Sequence, residues 1–158
     1  TGPPTHKEDD AKVVHELMNN ADIRIVSGGT TSQIVARELG VEVKSSTEIY
    51  DKEVPPIAYI QGVDLVTEGV LTLSKTIDRL KSLSKSLDSD IFKAKDGASQ
   101  MAKLLYSASH IKLLVGRSLN IANAESSFQR DLELRLHVVG ELEKILVKLG
   151  KIVTVEYY

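Results

Sequence analysis

Apolar residues recur along this chain with two alternating periods. Val13, Val14, Leu17 and Met18 are spaced as one face of a helix, behind an acidic pair, Asp9-Asp10, suited to cap and charge a helix start. Asp22 to Val26 then predicts a strand, and a Gly-Gly turn leads into a helix that closes at Gly40. Val41 to Lys44 and Ile57 to Ile60 predict short strands flanking a polar loop, Ser45 to Pro56, that ends in Pro55-Pro56. Val63 to Val66 is a strand candidate running into Thr67-Glu68-Gly69. The helix after it carries Val70, Leu73, Ile77, Leu80 and Leu87 on one face and is broken at Asp88 to Asp90. Ala98 to Ser107 is helical, with Met101, Leu104 and Leu105 inward, and Ile111 to Val115 is a strand of the buried type. Leu132 to Leu149 is an amphipathic helix with Leu132, Leu136, Val139, Leu142 and Leu146 in step; Gly150 ends it, and Ile152 to Tyr157 is the last strand.

Strands alternating with helices predict an α/β fold: a mostly parallel open sheet with helices on both faces, Rossmann-like and three-layered. The chain shows no internal repeat and no low-complexity stretch. Its 158 residues, 42% hydrophobic and 27% charged, suit one α/β domain over residues 1–158 with a true core. A net charge of -2, with no basic stripe interleaved with aromatics, argues against nucleic acid as partner. No apolar run approaches the roughly 20 residues that span a bilayer, so no membrane partner is expected. The absence of cysteine and of a signal peptide fits a cytoplasmic setting. A Pro/Gly loop, Thr1 to Thr5, leads the chain, and a start at Thr1 and not at Met fits a piece excised from a longer protein.

The chemistry concentrates where strands end. Ser27-Gly28-Gly29-Thr30-Thr31 joins a strand to a helix, and the first N–H groups of a helix lack internal acceptors and sit at the positive end of its dipole. Gly-Gly also permits positive φ and close approach to the backbone. In an open α/β sheet, ligands lie beyond the carboxyl ends of the strands. If the three strands concerned are parallel, the turns Ser27 to Thr31, Thr67 to Gly69 and Gly116 to Asn120 meet on one edge. The ligand-binding candidates are therefore Gly28, Gly29, Thr30, Thr31, Thr67, Glu68, Gly69, Gly116 and Asn120, with Arg117 adding a guanidinium. They suit a small anionic ligand; good turns alone, or a protein-binding edge, are the competing readings. The Gly-Gly turn is neither a P-loop nor a dinucleotide fingerprint. Asp64 and Glu68, four apart, raise a shared metal, but a capping role for Thr67-Glu68 is the simpler expectation. His6, His15, His110 and His137 have no ligand spacing and read as surface or interface residues, so no metal site is expected. Arg130, Glu133 and Arg135 read as a solvated helix face, with Arg130 near enough in sequence to serve an anion at the edge. With no cysteine nucleophile and no Gly-x-Ser-x-Gly elbow, no catalytic residue is assigned.

Several blocks together carry a resemblance. Thr1-Gly2-Pro3-Pro4 precedes the Asp9-Asp10 pair; Gly28-Gly29-Thr30-Thr31 is followed by Val35-Ala36-Arg37-Glu38-Leu39-Gly40; Pro55-Pro56 precedes the long block from Gly62-Val63-Asp64-Leu65-Val66-Thr67-Glu68-Gly69 to Val70-Leu71-Thr72-Leu73; Val115-Gly116, Asn120 and Leu132-Glu133-Leu134-Arg135 complete the set. Almost end to end, the chain resembles the C-terminal module that follows the catalytic domain in bacterial phosphatases of the stage II sporulation protein E type. It departs from that pattern at Arg117, where the family has Thr, at Ala122-Asn123-Ala124, and at Arg135-Leu136, where two arginines are usual. The resemblance implies an upstream metal-dependent serine/threonine phosphatase domain, which would hold the catalytic aspartates, as covalent partner. It assigns this module no catalytic role, no cofactor and no metal.

Three readings remain open on the residues: a regulatory module sensing a small anionic ligand, a protein-interaction or homodimerisation module using the long helices, and a separate enzyme in which Thr30, Thr31 and Glu68 do acid–base work.

Overall fold

The structure, a computed structural model, describes residues 1–84, 89–118 and 125–158, and for residues 89 and 125–129 the backbone only. In chain order, a short 3-10 turn at Lys7–Asp9 leads into α1 (Asp10–Asn19), then β1 (Ile25–Ser27), α2 (Gly29–Leu39), β2 (Lys44–Ser45), β3 (Ala58–Tyr59), β4 (Leu65–Thr67), α3 (Val70–Leu83), α4 (Ser89–Lys93), α5 (Gly97–Ser107), β5 (His110–Val115), α6 (Glu125–Lys148) and β6 (Ile152–Tyr157). The fold is mixed α/β and predominantly parallel in register. β1 pairs with β4 in parallel over Ile25–Leu65, Val26–Val66 and Ser27–Thr67, and β5 pairs with β6 in parallel from His110–Ile152 to Val115–Tyr157.

Two features depart from a single parallel sheet. β3 joins β4 antiparallel and β2 joins β3 antiparallel, so the first sheet runs β1-β4-β3-β2. The β5-β6 pair forms its own sheet, and among the described residues no ladder connects it to β1. Only residues 60–64 join β3 to β4, too few for a parallel return, which needs a crossover of a dozen or more residues.

Strand alternation divides the core. Val26 and Val66 pack with Val14, Val35 and Ala36 of α1 and α2, whereas Leu65 joins Leu73, Ile77, Leu80, Met101, Leu142 and Leu146 of α3, α5 and α6. Successive strand residues point to opposite faces, which is why neighbours Leu65 and Val66 enter different clusters. α1 is fixed to α2 by Asp10, buried and only 2.5 Å from the Arg37 guanidinium. Asp10 thus ties two helices instead of capping one, and Asp9, at the N-cap position, makes no side-chain cap bond. α5 does have an acidic cap: Asp96 accepts from Ser99 N at 2.9 Å. α6 starts several residues before the amphipathic pattern at Leu132, and α4 forms where the pattern predicts a break, since neither stretch carries a helical apolar stripe. The extension of α3 toward Leu87 lies outside the described residues beyond Ser84. Among the described residues, no helix is long and apolar enough to cross a membrane.

Candidate functional site

The first two turns do meet. β1 and β4 are parallel neighbours, so their carboxyl ends open on the same edge. Gly28 N donates to Thr67 O at 2.9 Å, and Ser27 Oγ donates to Glu68 O at 2.9 Å. A Cβ on Gly69 would lie 3.7 Å from Gly28 Cα, so the turns pack backbone to backbone. Gly28 holds φ at +115°, a conformation L side chains rarely adopt, and this bend aims α2 back over the sheet. Inside α2, Ser32 closes the first turn on Gly28 O through both its N–H, at 2.9 Å, and its hydroxyl, at 2.8 Å.

Glu68 is the group that gives this edge its character. It is exposed, and its carboxylate oxygens lie 3.8 and 4.0 Å from the position a Cβ would take on Gly29. Gly29 is the first residue of α2, so a carboxylate sits beside the positive end of that helix. Gly29 and Thr30 are exposed and Thr31 is half-buried, whereas Thr67 is buried and its hydroxyl donates to Glu68 O at 2.9 Å. Thr67 and Glu68 do not cap α3: its N-cap is Gly69, without a side-chain cap bond. Asp64 lies at the opposite end of β4, accepting from Arg24 N at 2.7 Å, so it cannot share an ion with Glu68. Among the described residues, no three His, Asp or Glu side chains converge as a metal site, and all four histidines are exposed.

The third turn is differently engaged. Gly116 is buried beneath the leading segment: its N–H donates to Thr1 O at 2.9 Å, and an added Cβ would lie 2.1 Å from Pro3 O. Ser118 N donates to Pro3 O at 3.0 Å and Arg117 N to Tyr158 O at 2.8 Å, while the Arg117 guanidinium lies over the Tyr157 ring. The Gly116 amide therefore serves the fold and is not open to a ligand. Asn120 lies outside the described residues. Arg135 belongs with this turn and not with a solvated face. It is buried, and its guanidinium donates to Gly116 O at 3.2 Å and Ser118 O at 3.4 Å. Burial holds it below the usual arginine value, partly offset by Asp131. A one-turn shift on α6 separates it from exposed Arg130, and the apolar pattern alone gave no sign of that difference.

The chain matches no known protein-family pattern, no curated protein and no solved structure.

Proposed function

We propose that this chain is a regulatory α/β module of a stage II sporulation protein E-like serine/threonine phosphatase, and that its Gly28–Thr31 and Thr67–Gly69 turns bind a small ligand carrying both an anionic group and hydroxyls. The juxtaposition of the Glu68 carboxylate and Gly29 supports this reading most directly. The first turn of α2 offers N–H groups and a positive dipole end to an anion. Glu68 would repel a bare anion at the same spot but accepts hydrogen bonds from hydroxyls, so a sugar phosphate or ribose phosphate suits the pair better than sulfate. The bare Gly29 leaves room for the ligand between them. In this reading the sheet is the Rossmann-like three-layer type, and the link to an upstream phosphatase rests on the sequence blocks quoted above.

Titration calorimetry with ribose 5-phosphate, glucose 6-phosphate and inorganic phosphate tests it. Glu68→Gln is expected to weaken the sugar phosphates roughly tenfold, because a charge-assisted bond is worth about 1.5–3 kcal/mol, and to leave inorganic phosphate equal or tighter. In the free protein the same change should alter stability by no more than about 0.3–1 kcal/mol. No heat with any of the three ligands removes the sensing role. A second reading, a protein-contact module, is favoured by exposed Tyr50 and Tyr59 beside Lys95 at a shallow depression of about 350 Å³; self-association on a sizing column, lost in Tyr59→Ser, would select it.

A further inference from the structure

The break between the two sheets is an apolar cleft of about 620 Å³. Its long walls are strand edges: Ile25, Val26 and Ser27 on one side and the whole of β5 on the other. Above and below, it is closed by side chains from both halves of the core, Val14, Leu17 and Val35 on one face and Leu73, Met101 and Leu142 on the other. Polar residues, among them Asn20, Asp22 and His110, rim one end, and Thr1 and Gly2 form the other.

Among the described residues, no strand pairs with the edge of β5 that faces this cleft. On its other side, Ile152 N donates to Ser109 O, Tyr158 N to Val115 O and Arg117 N to Tyr158 O, so the odd-numbered residues of β5 serve β6. Alternation turns the N–H and C=O groups of His110, Lys112 and Leu114 toward the cleft. At the far end of that edge the pairing has begun: Thr1 N donates to Leu114 O at 2.7 Å, and Gly116 N donates to Thr1 O at 2.9 Å. Those two bonds bracket Val115 as a parallel partner of Thr1.

We propose that the cleft is the slot of one extended apolar β-strand, running parallel to β5 and joined covalently to Thr1. It would insert between β1 and β5 and give a continuous sheet in the order β2-β3-β4-β1-slot-β5-β6. Register follows from the Thr1 bonds: the second residue ahead of Thr1 accepts from Leu114 N and donates to Lys112 O, and the fifth reaches His110. Because most of the side chains lining the slot are apolar, with Glu16 and Lys112 as a polar pair on one face, the strand should be predominantly apolar, as in strands buried on both sides of a parallel sheet. A central strand also removes two open edges that would otherwise template pairing with other chains.

The test compares three fusions, each placing five residues between an initiating Met and Thr1: Val-Ile-Val-Val-Ile, the same strand with Asp at its third position, and Gly-Ser-Gly-Ser-Gly. With the apolar strand, the Lys112 and Leu114 amides should exchange at least about a hundredfold more slowly than in the Gly-Ser fusion, and Tm should rise by about 5 °C or more. The Asp strand should lose most of both effects. Equal exchange rates in the apolar and Gly-Ser fusions would overturn the proposal. So would protection confined to a dimer that vanishes on dilution, since that places the strand of one copy in the slot of another.

Discussion

Two glycines of this chain should respond to alanine with opposite signs. Gly116 follows β5 under the leading segment, and a Cβ there would stand 2.1 Å from Pro3 O, 2.2 Å from Pro3 C and 2.3 Å from Gly2 O. These are backbone atoms and cannot rotate aside, so residues 1–4 must lift off. Lifting breaks three bonds: Thr1 N to Leu114 O at 2.7 Å, Gly116 N to Thr1 O at 2.9 Å and Ser118 N to Pro3 O at 3.0 Å. At about 0.5–1.5 kcal/mol net for each, Gly116→Ala should cost about 1.5–4.5 kcal/mol. For a domain of this size that is a Tm lower by about 3–18 °C. Gly140 lies within α6, half-exposed, with nothing within 4 Å of an added Cβ. There alanine only removes backbone freedom from the unfolded chain, and Gly140→Ala should stabilise by about 0.5–1 kcal/mol. Urea unfolding followed by circular dichroism gives both values, and hydrogen exchange at the Ser118 amide reports whether the segment has lifted. A Gly116→Ala protein as stable as its parent, with Ser118 still protected, would show that the clamp described here does not exist.

Other expectations follow from single groups. Thr72 is fully buried and its hydroxyl has no partner among the described residues, so Thr72→Val, of the same shape, should stabilise the protein by about 1–3 kcal/mol in the same urea assay. Asp96→Ala removes the cap of α5 and should cost about 1–2 kcal/mol; Asp96→Asn should recover most of it. Hydrogen bonds from Lys112, at 2.5 Å to Glu16 and 2.7 Å to Glu156, hold both carboxyls below the usual glutamate value of 4.5. Groups whose folded pKa is depressed contribute stability above the unfolded value and lose it as pH falls through the folded one. Lys112→Met should therefore flatten the loss of stability below about pH 4.5, measured as Tm against pH, and salt should shrink the difference between the two proteins.

The sequence by itself determined the order of elements and the position of the first two turns. Helical spacing placed α1, α2, α3 and α5 to within a few residues, because a buried stripe repeats every turn whatever it packs against. Gly28 and Gly40 were legible for a similar reason: positive φ is a local demand that few other residues meet. Only the tertiary structure decided what those turns face. Glu68 lies beside Gly29 because β1 and β4 are parallel neighbours, a pairing between residues some forty positions apart. The same is true of Asp10 with Arg37 and of Arg135 beneath Gly116, charged groups that periodicity assigns to caps or solvent until another element covers them. The break between β1 and β5 was also invisible in the pattern. A mainly apolar run such as Ile111 to Val115 predicts a strand of the buried type, though Lys112 within it is exposed, but hydrogen-bonding edges lie in the backbone, which every residue shares, and only the assembled sheets show which edge is left without a neighbour.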